Sequence, residues 1–249
     1  MKKIFFISGM LVCFFSFGQV SNGEKRICSN QFSTLGIAGM TFTQAFDFIG
    51  KMHNDYQENL LSYLSDQKID LRDTNTLKKV IQLKTREFFS KKGIDVSNYA
   101  NPLWFGPGQQ DVAFSKNNYS QKGGDLMIKL RTAIQLYNES NNVEFFKTAT
   151  EIKSEALNLS NETEVFTVGI PIAISIFSFN YWENNAQRWY DTFKQQYPAQ
   201  SPDAGNEYRC HIGLGQLGAA DVVGAIRGAT GGGLGGGPLG AVAPRIEMG

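Results

Sequence analysis

From Thr41 onward the apolar positions recur at intervals of three and four. Phe42, Ala45, Phe46, Ile49, His53, Tyr56, Leu60 and Leu64 share one stripe, with Asp47, Lys51, Asp55 and Glu58 elsewhere. That period predicts an amphipathic helix whose cap is Thr41 or Thr43. "TLKKVIQLKTREFFSKKG" (76–93) predicts a second helix, with Asp73, Thr74 or Asn75 near its start, lysines in its last turn and Gly93 as its stop. "NPLWFGPGQQ" (101–110) is turn chemistry. A third helix is predicted near 124–138 through Leu126, Leu130, Ile134 and Leu136, and a fourth from Asn142 through "NVEFFKTATEIKSEALNLS". Short polar breaks between them suit antiparallel neighbours in a bundle.

The pattern changes at "VFTVGIPIAISIFSFNYW" (165–182), which carries no charge between Glu164 and Glu183. Eighteen uncharged residues approach the length of a membrane span. Thr167, Gly169, Pro171, Ser175, Ser178 and Asn180 lower its apolarity, and "IPIAISIF" alternates like a strand. The reading adopted is a buried central helix entered near Pro171, with a strand second and a membrane span third. "QRWYDTFKQQY" (187–197) predicts one more helix. The expected architecture is mostly α: an irregular helical bundle over 40–197, a linker over 198–218 and a glycine-rich tail over 219–249.

Both ends of the chain differ from this middle. Lys2 and Lys3 precede the apolar run "IFFISGMLVCFFSF" (4–17), and Ser16 and Gly18 stand three and one residues before a cut ahead of Gln19. This is the anatomy of a secretory signal peptide over 1–18, so the protein is expected to be exported. Residues 19–39 lack a clear period and read as a leader. At the other end, glycine falls at 224, 228, 232, 236 and 240, and nine of the 17 residues from Gly224 to Gly240 are glycine. At about 1 kcal/mol each relative to alanine, an isolated exposed helix through the whole stretch is excluded. "AADVVGAIRGAT" (219–230) can still be helical, with Ala220, Gly224, Gly228 and then Gly232 offering a small-residue face for close packing. Past Thr230 a flexible chain is expected.

Charge and cysteine content narrow the partners. Without the first 18 residues, 22 basic residues face 23 acidic ones, which leaves no basic footprint for nucleic acid. Cys28 and Cys210 would remain. A bridge between them would close a loop of about 180 residues, worth roughly 5 kcal/mol in the chain-entropy model; two free thiols or a cross-link between chains are the alternatives. No metal is expected, because Cys210 and His211 are adjacent and the only other histidine is His53. "GLGQLG" (213–218) matches a dinucleotide fingerprint, yet too little chain follows for the rest of that fold. No cofactor is expected.

Candidate chemistry is sparse. His53 and Asn54 sit in the first helix, His53 on its apolar stripe. A catalytic reading would recruit Ser178 or Cys210 as nucleophile, with Asp55 or Asp47 as orienter. Asp55, two residues on, points roughly 200° away round the helix and cannot orient the same ring. The favoured reading is a core histidine bonded to Ser178, Tyr181 or a backbone carbonyl, with Asn54 in the same network or facing water. "SFNYW" (178–182) adds Ser178, Tyr181 and Trp182 as a polar belt or a ligand pocket. Glu151 and Glu155, beside Lys147 and Lys153, read as a solvated face.

Three of these features together resemble a loose group of secreted bacterial helical proteins of uncharacterised function. The matching residues are His53–Asn54, Ser178 with Tyr181–Trp182, and Ala220–Asp221, Gly224–Ala225 and Gly228. The resemblance implies an exported helical domain with a small-residue tail, and no reaction. The tail is also similar to the glycine zippers of membrane-active bacterial peptides and envelope proteins. The function expected is non-enzymatic: the C-terminal segment makes close contact with a membrane surface, a partner helix or another copy. A hydrolase-like enzyme with a pocket near His53 and Tyr181 is the alternative.

Overall fold

A computed structural model describes Ile27, Ile37 and residues 39–67, 74–93, 119–138, 140, 142–196 and 214–230. Among the described residues there are six α-helices and no strand: α1 (Phe42–Asp66), α2 (Thr74–Lys91), α3 (Gln121–Gln135), α4 (Asn142–Ala156), α5 (Glu162–Gln196) and α6 (Leu214–Thr230). The protein is mostly α, an irregular bundle in which α1, α3, α4 and α6 all pack on α5.

α1 begins at a capping box. The Gln44 amide donates to Thr41 Oγ1 at 3.2 Å, and the Thr41 amide donates to Gln44 Oε1 at 3.0 Å. All eight residues of the apolar stripe are buried, and Met52, Gln57 and Leu61 join them. Upstream, Ile27 and Ile37 are buried as well. Ile27 N–H donates to Met40 O at 3.0 Å and Gly39 N–H to Ile27 O at 3.3 Å, so part of the leader is core. Gly93 ends α2 with φ 74°, as the glycine stop predicts. Tyr56 binds α2 to α1 through Phe88, Phe89 and a 2.7 Å hydrogen bond to Thr85.

α3 starts three residues before the predicted boundary because Ser120, not a later residue, caps it. Its hydroxyl accepts from Gly123 N–H at 3.2 Å. Glu164, in the first turn of α5, accepts from Ser120 N–H at 2.7 Å and lies where a Cβ on Gly123 would be. A carboxylate thus sits at the positive end of the α3 dipole.

The central helix departs most from expectation. α5 begins at Glu162, nine residues ahead of the predicted entry near Pro171, and Asn161 before it accepts from Glu164 N–H at 3.2 Å through Oδ1. Pro171 lies inside the helix, and the helix predicted separately at 187–197 is its continuation. An interior proline costs about 3 kcal/mol. Every residue from Val168 to Ser175 is buried, and each large aliphatic among them contributes roughly 1.5–3 kcal/mol. Burial therefore wins. The polar residues are satisfied locally, Thr167 Oγ1 donating to Glu164 O at 3.2 Å and Ser175 Oγ to Ile172 O at 2.7 Å. This helix is long and apolar enough to cross a membrane, but 78% of its apolar window is buried inside the bundle.

Two glycines draw α1 onto α5. A Cβ on Gly50 would strike the Phe177 ring, and one on Gly169 would strike the Phe46 ring. Each helix offers the other one ring and one gap. Leu214 starts α6 inside the stretch read as a linker, so 214–218 is helix. Ala220, Gly224 and Gly228 lie within α6. Residues 1–18, which read as a signal peptide, Cys28, Cys210, Gly232 and the rest of 231–249 fall outside the described residues.

Candidate functional site

Four of the six polar side chains buried among the described residues meet at one point. Asp221, on α6, is 1% exposed. The Ser178 hydroxyl, one face of α5, donates to its Oδ2. Trp182, one turn further along that face, donates its Nε1–H to the same oxygen at 2.8 Å. From α1, Gln57 Nε2 approaches Oδ1 at 3.5 Å and His53 Nε2 stands 3.5 Å from Oδ2. His53, Gln57 and Ser178 are wholly buried. The helical period explains the gathering: 53 and 57, and 178 and 182, are each one turn apart and share a face.

His53 is held from its other side as well. Asn54 Nδ2 donates to Phe177 O at 3.1 Å, which turns Asn54 Oδ1 toward His53 Nδ1, 3.1 Å away. A carbonyl can only accept, so the amide orientation follows, and Nδ1 must carry hydrogen. His53 Nε2 then meets the Asp221 carboxylate either as a bare lone pair or as N–H⁺. Burial disfavours the charged ring, but the charge and close approach of Asp221, with the hydrogen bond to Asn54, outweigh it. The pKa rises above its ordinary 6.5. His53 Nε2 and Gln57 Oε1 make no hydrogen bond of good geometry.

Of the five residues predicted as a polar core or pocket, the centre collects His53, Asn54, Ser178 and Trp182. Tyr181 stands apart. Its hydroxyl donates to Glu58 Oε2 at 3.3 Å and accepts from Trp189 Nε1 at 3.0 Å, and Arg188 forks onto Glu58 at 2.6 and 3.1 Å. Burial pushes the Tyr181 hydroxyl pKa up. Asp55 points outward to Lys92 at 3.6 Å, as its position on the wheel requires. The Glu151–Glu155 face is solvated, and its charges also reach neighbouring helices: Glu155 pairs with Lys129 of α3 at 3.0 Å, both about half exposed, and Lys153 reaches Asp47 of α1 at 2.7 Å.

Two members of the centre escaped the sequence. Asp221 is the lone acid in "LGAADVVGAI"; it belongs to the motif that carries the resemblance, but nothing in the sequence marks it as a partner of His53 or Ser178. Gln57 lies one turn after His53, a spacing that marks a shared face but no chemistry.

The geometry is not that of a hydrolytic triad. There the histidine stands between serine and carboxylate and takes the hydroxyl proton. Here Ser178 and His53 both address Asp221, and Trp182 addresses it too. A surface hollow of about 240 Å³ lies elsewhere, between α1 and α2, lined in part by Tyr63, Asp66, Lys84 and Phe88. Among the described residues no cluster of three or more His, Cys, Asp or Glu could hold a metal. The first turns of α6 pack through positions other than the predicted face of Ala220, Gly224 and Gly228. Gly218 is pressed on the Phe179 ring, Gly215 on Tyr137, and Val222, Val223, Ala225 and Ile226 are buried. Comparison with protein-family models, characterised proteins and solved structures found no match to this chain.

Proposed function

We propose that this is an exported, non-enzymatic helical protein that makes contact through its glycine-rich C-terminal end. The signal-like segment 1–18 supports export. One observation carries the rest: α6 is docked on α5 with Asp221 inside a closed polar centre, so the helical part of the C-terminal region already has its partner within the bundle. The contact element is then narrowed to the segment after Thr230, and its surface is a membrane, a partner helix or another copy.

The test is liposome co-flotation of residues 19–249 beside a chain ending at Thr230. The contact reading expects only the longer chain to float if the surface is lipid. If neither floats, pull-down and sedimentation of the same pair decide between a partner and a second copy. Equal behaviour of the two chains in all three assays overturns the reading. The enzymatic alternative keeps one observation, the buried His53–Asp221 pair, because such pairs concentrate at functional sites. It would need the centre to open to a substrate.

A further inference from the structure

We propose that His53 and Asp221 form a proton-dependent latch on α6: a proton on His53 Nε2 closes the helix onto the bundle, and loss of that proton loosens it. The argument starts from what faces the Asp221 carboxylate. α5 brings Ser178 and Trp182, and α1 brings Gln57, all neutral donors. His53 is the one partner among the described residues that can carry a compensating charge. Other titratable groups on the helices around this pair have partners of their own, Glu183 accepting from Tyr137 and Asn142. Tyr181 engages Glu58, Glu58 engages Arg188, and Lys129 and Glu155 pair with each other.

Asn54 supplies the asymmetry. Because its carbonyl oxygen occupies Nδ1, a neutral His53 must turn the Nε2 lone pair toward a carboxylate 3.5 Å away. While Asn54 Nδ2 remains on Phe177 O, a ring flip takes Nδ1 off Asn54 Oδ1 and the other tautomer sets a bare Nδ1 against it, so either escape loses that hydrogen bond. The protonated ring turns the same contact into an ion pair between α1 and α6. A fully buried carboxylate facing a lone pair is strongly disfavoured, and the simplest relief is for α6 to move out and let water reach Asp221. The direction follows. His53 has a raised pKa in the closed state and the ordinary 6.5 when released. Closure is thus strongest below 6.5 and weakens as pH rises toward the raised value.

The inference concerns the docking of α6 and stands apart from whatever the segment after Thr230 touches. It is therefore tested without lipid or partner. Hydrogen exchange of the chain 19–249 is followed from pH 6 to 9, each amide corrected for its intrinsic base-catalysed rate, with α4 as the reference. The latch predicts that α6 opens more readily than α4. It also predicts that the α6 opening constant rises about tenfold per pH unit above 6.5, then levels off. His53→Gln should abolish the slope. A flat profile in the native chain, a slope that survives His53→Gln, or α6 protection equal to that of α4 would each overturn it. If His53→Gln loses α6 protection altogether, an NMR titration of the imidazoles decides, with His211→Gln assigning them. A His53 pKa above 6.5 upholds the latch, and one at or below 6.5 overturns it.

Discussion

Asp221 accepts from Ser178 and Trp182 on one helix and is approached by His53 and Gln57 on another, so its removal leaves four polar groups without their acceptor. Breaking a buried set of this kind costs about 3–5 kcal/mol. Asp221→Ala is therefore expected to lower the urea midpoint strongly. Arg188→Ala removes an ion pair of two roughly half-exposed partners. It should cost no more than about 1 kcal/mol. Comparable losses in the two variants would mean the buried centre contributes little. Gly218→Ala sets two effects against each other. Alanine gains up to about 1 kcal/mol in a helix interior, but overpacking costs roughly 1–3 kcal/mol. Phe179 is fully buried and has little room to give, so a net loss is expected on denaturant titration.

At the scale of the element, boundaries are set by groups that touch the helix ends. Thr41→Ala removes one half of the α1 capping box and should cost about 1 kcal/mol, read in the same titration. Local patterning reached α1 in full, because one stripe faces one core and the cap lies beside it in sequence. It misplaced the start of α5. The rule that proline opens a helix is local, whereas the aliphatic residues on both sides of Pro171 are buried within a helix that packs against four others. It also missed Ser120 as the α3 cap. Glu164, 44 residues away, accepts the Ser120 N–H, and no local signal announces a partner at that distance. The candidate site was half legible for the same reason. His53, Asn54, Ser178 and Trp182 could be singled out by residue type, but the atom that unites them belongs to Asp221, 164 residues beyond Gln57. A lone acid in an apolar helix carries no local sign that its surroundings are donors from two other helices.

For the whole molecule, the glycines at the C-terminus divide between two uses. Gly215 and Gly218 let α6 lie against Tyr137 and Phe179, which makes α6 a structural helix of the bundle. The remaining glycines after Thr230 are left for the contact proposed above. The same division gives a pH dependence of global stability. His53 binds its proton more tightly in the folded chain than in the unfolded one. Stability from this pair is complete below 6.5 and declines as pH climbs through the raised value. Urea midpoints measured from pH 6 to 9 should fall accordingly, and those of His53→Gln should stay level over that range.

Thermal unfolding of two shortened chains, 19–230 and 19–206, followed by circular dichroism, bears most directly on the central claim that α6 is locked into the bundle through Asp221. The chain ending at Thr230 is expected to melt within about 2 °C of the full one. The chain ending at Asn206 lacks Asp221, Val222, Val223 and Ile226, and it should melt far lower or without a cooperative transition. A chain ending at Asn206 that melts as sharply and as high as the full one would contradict the account.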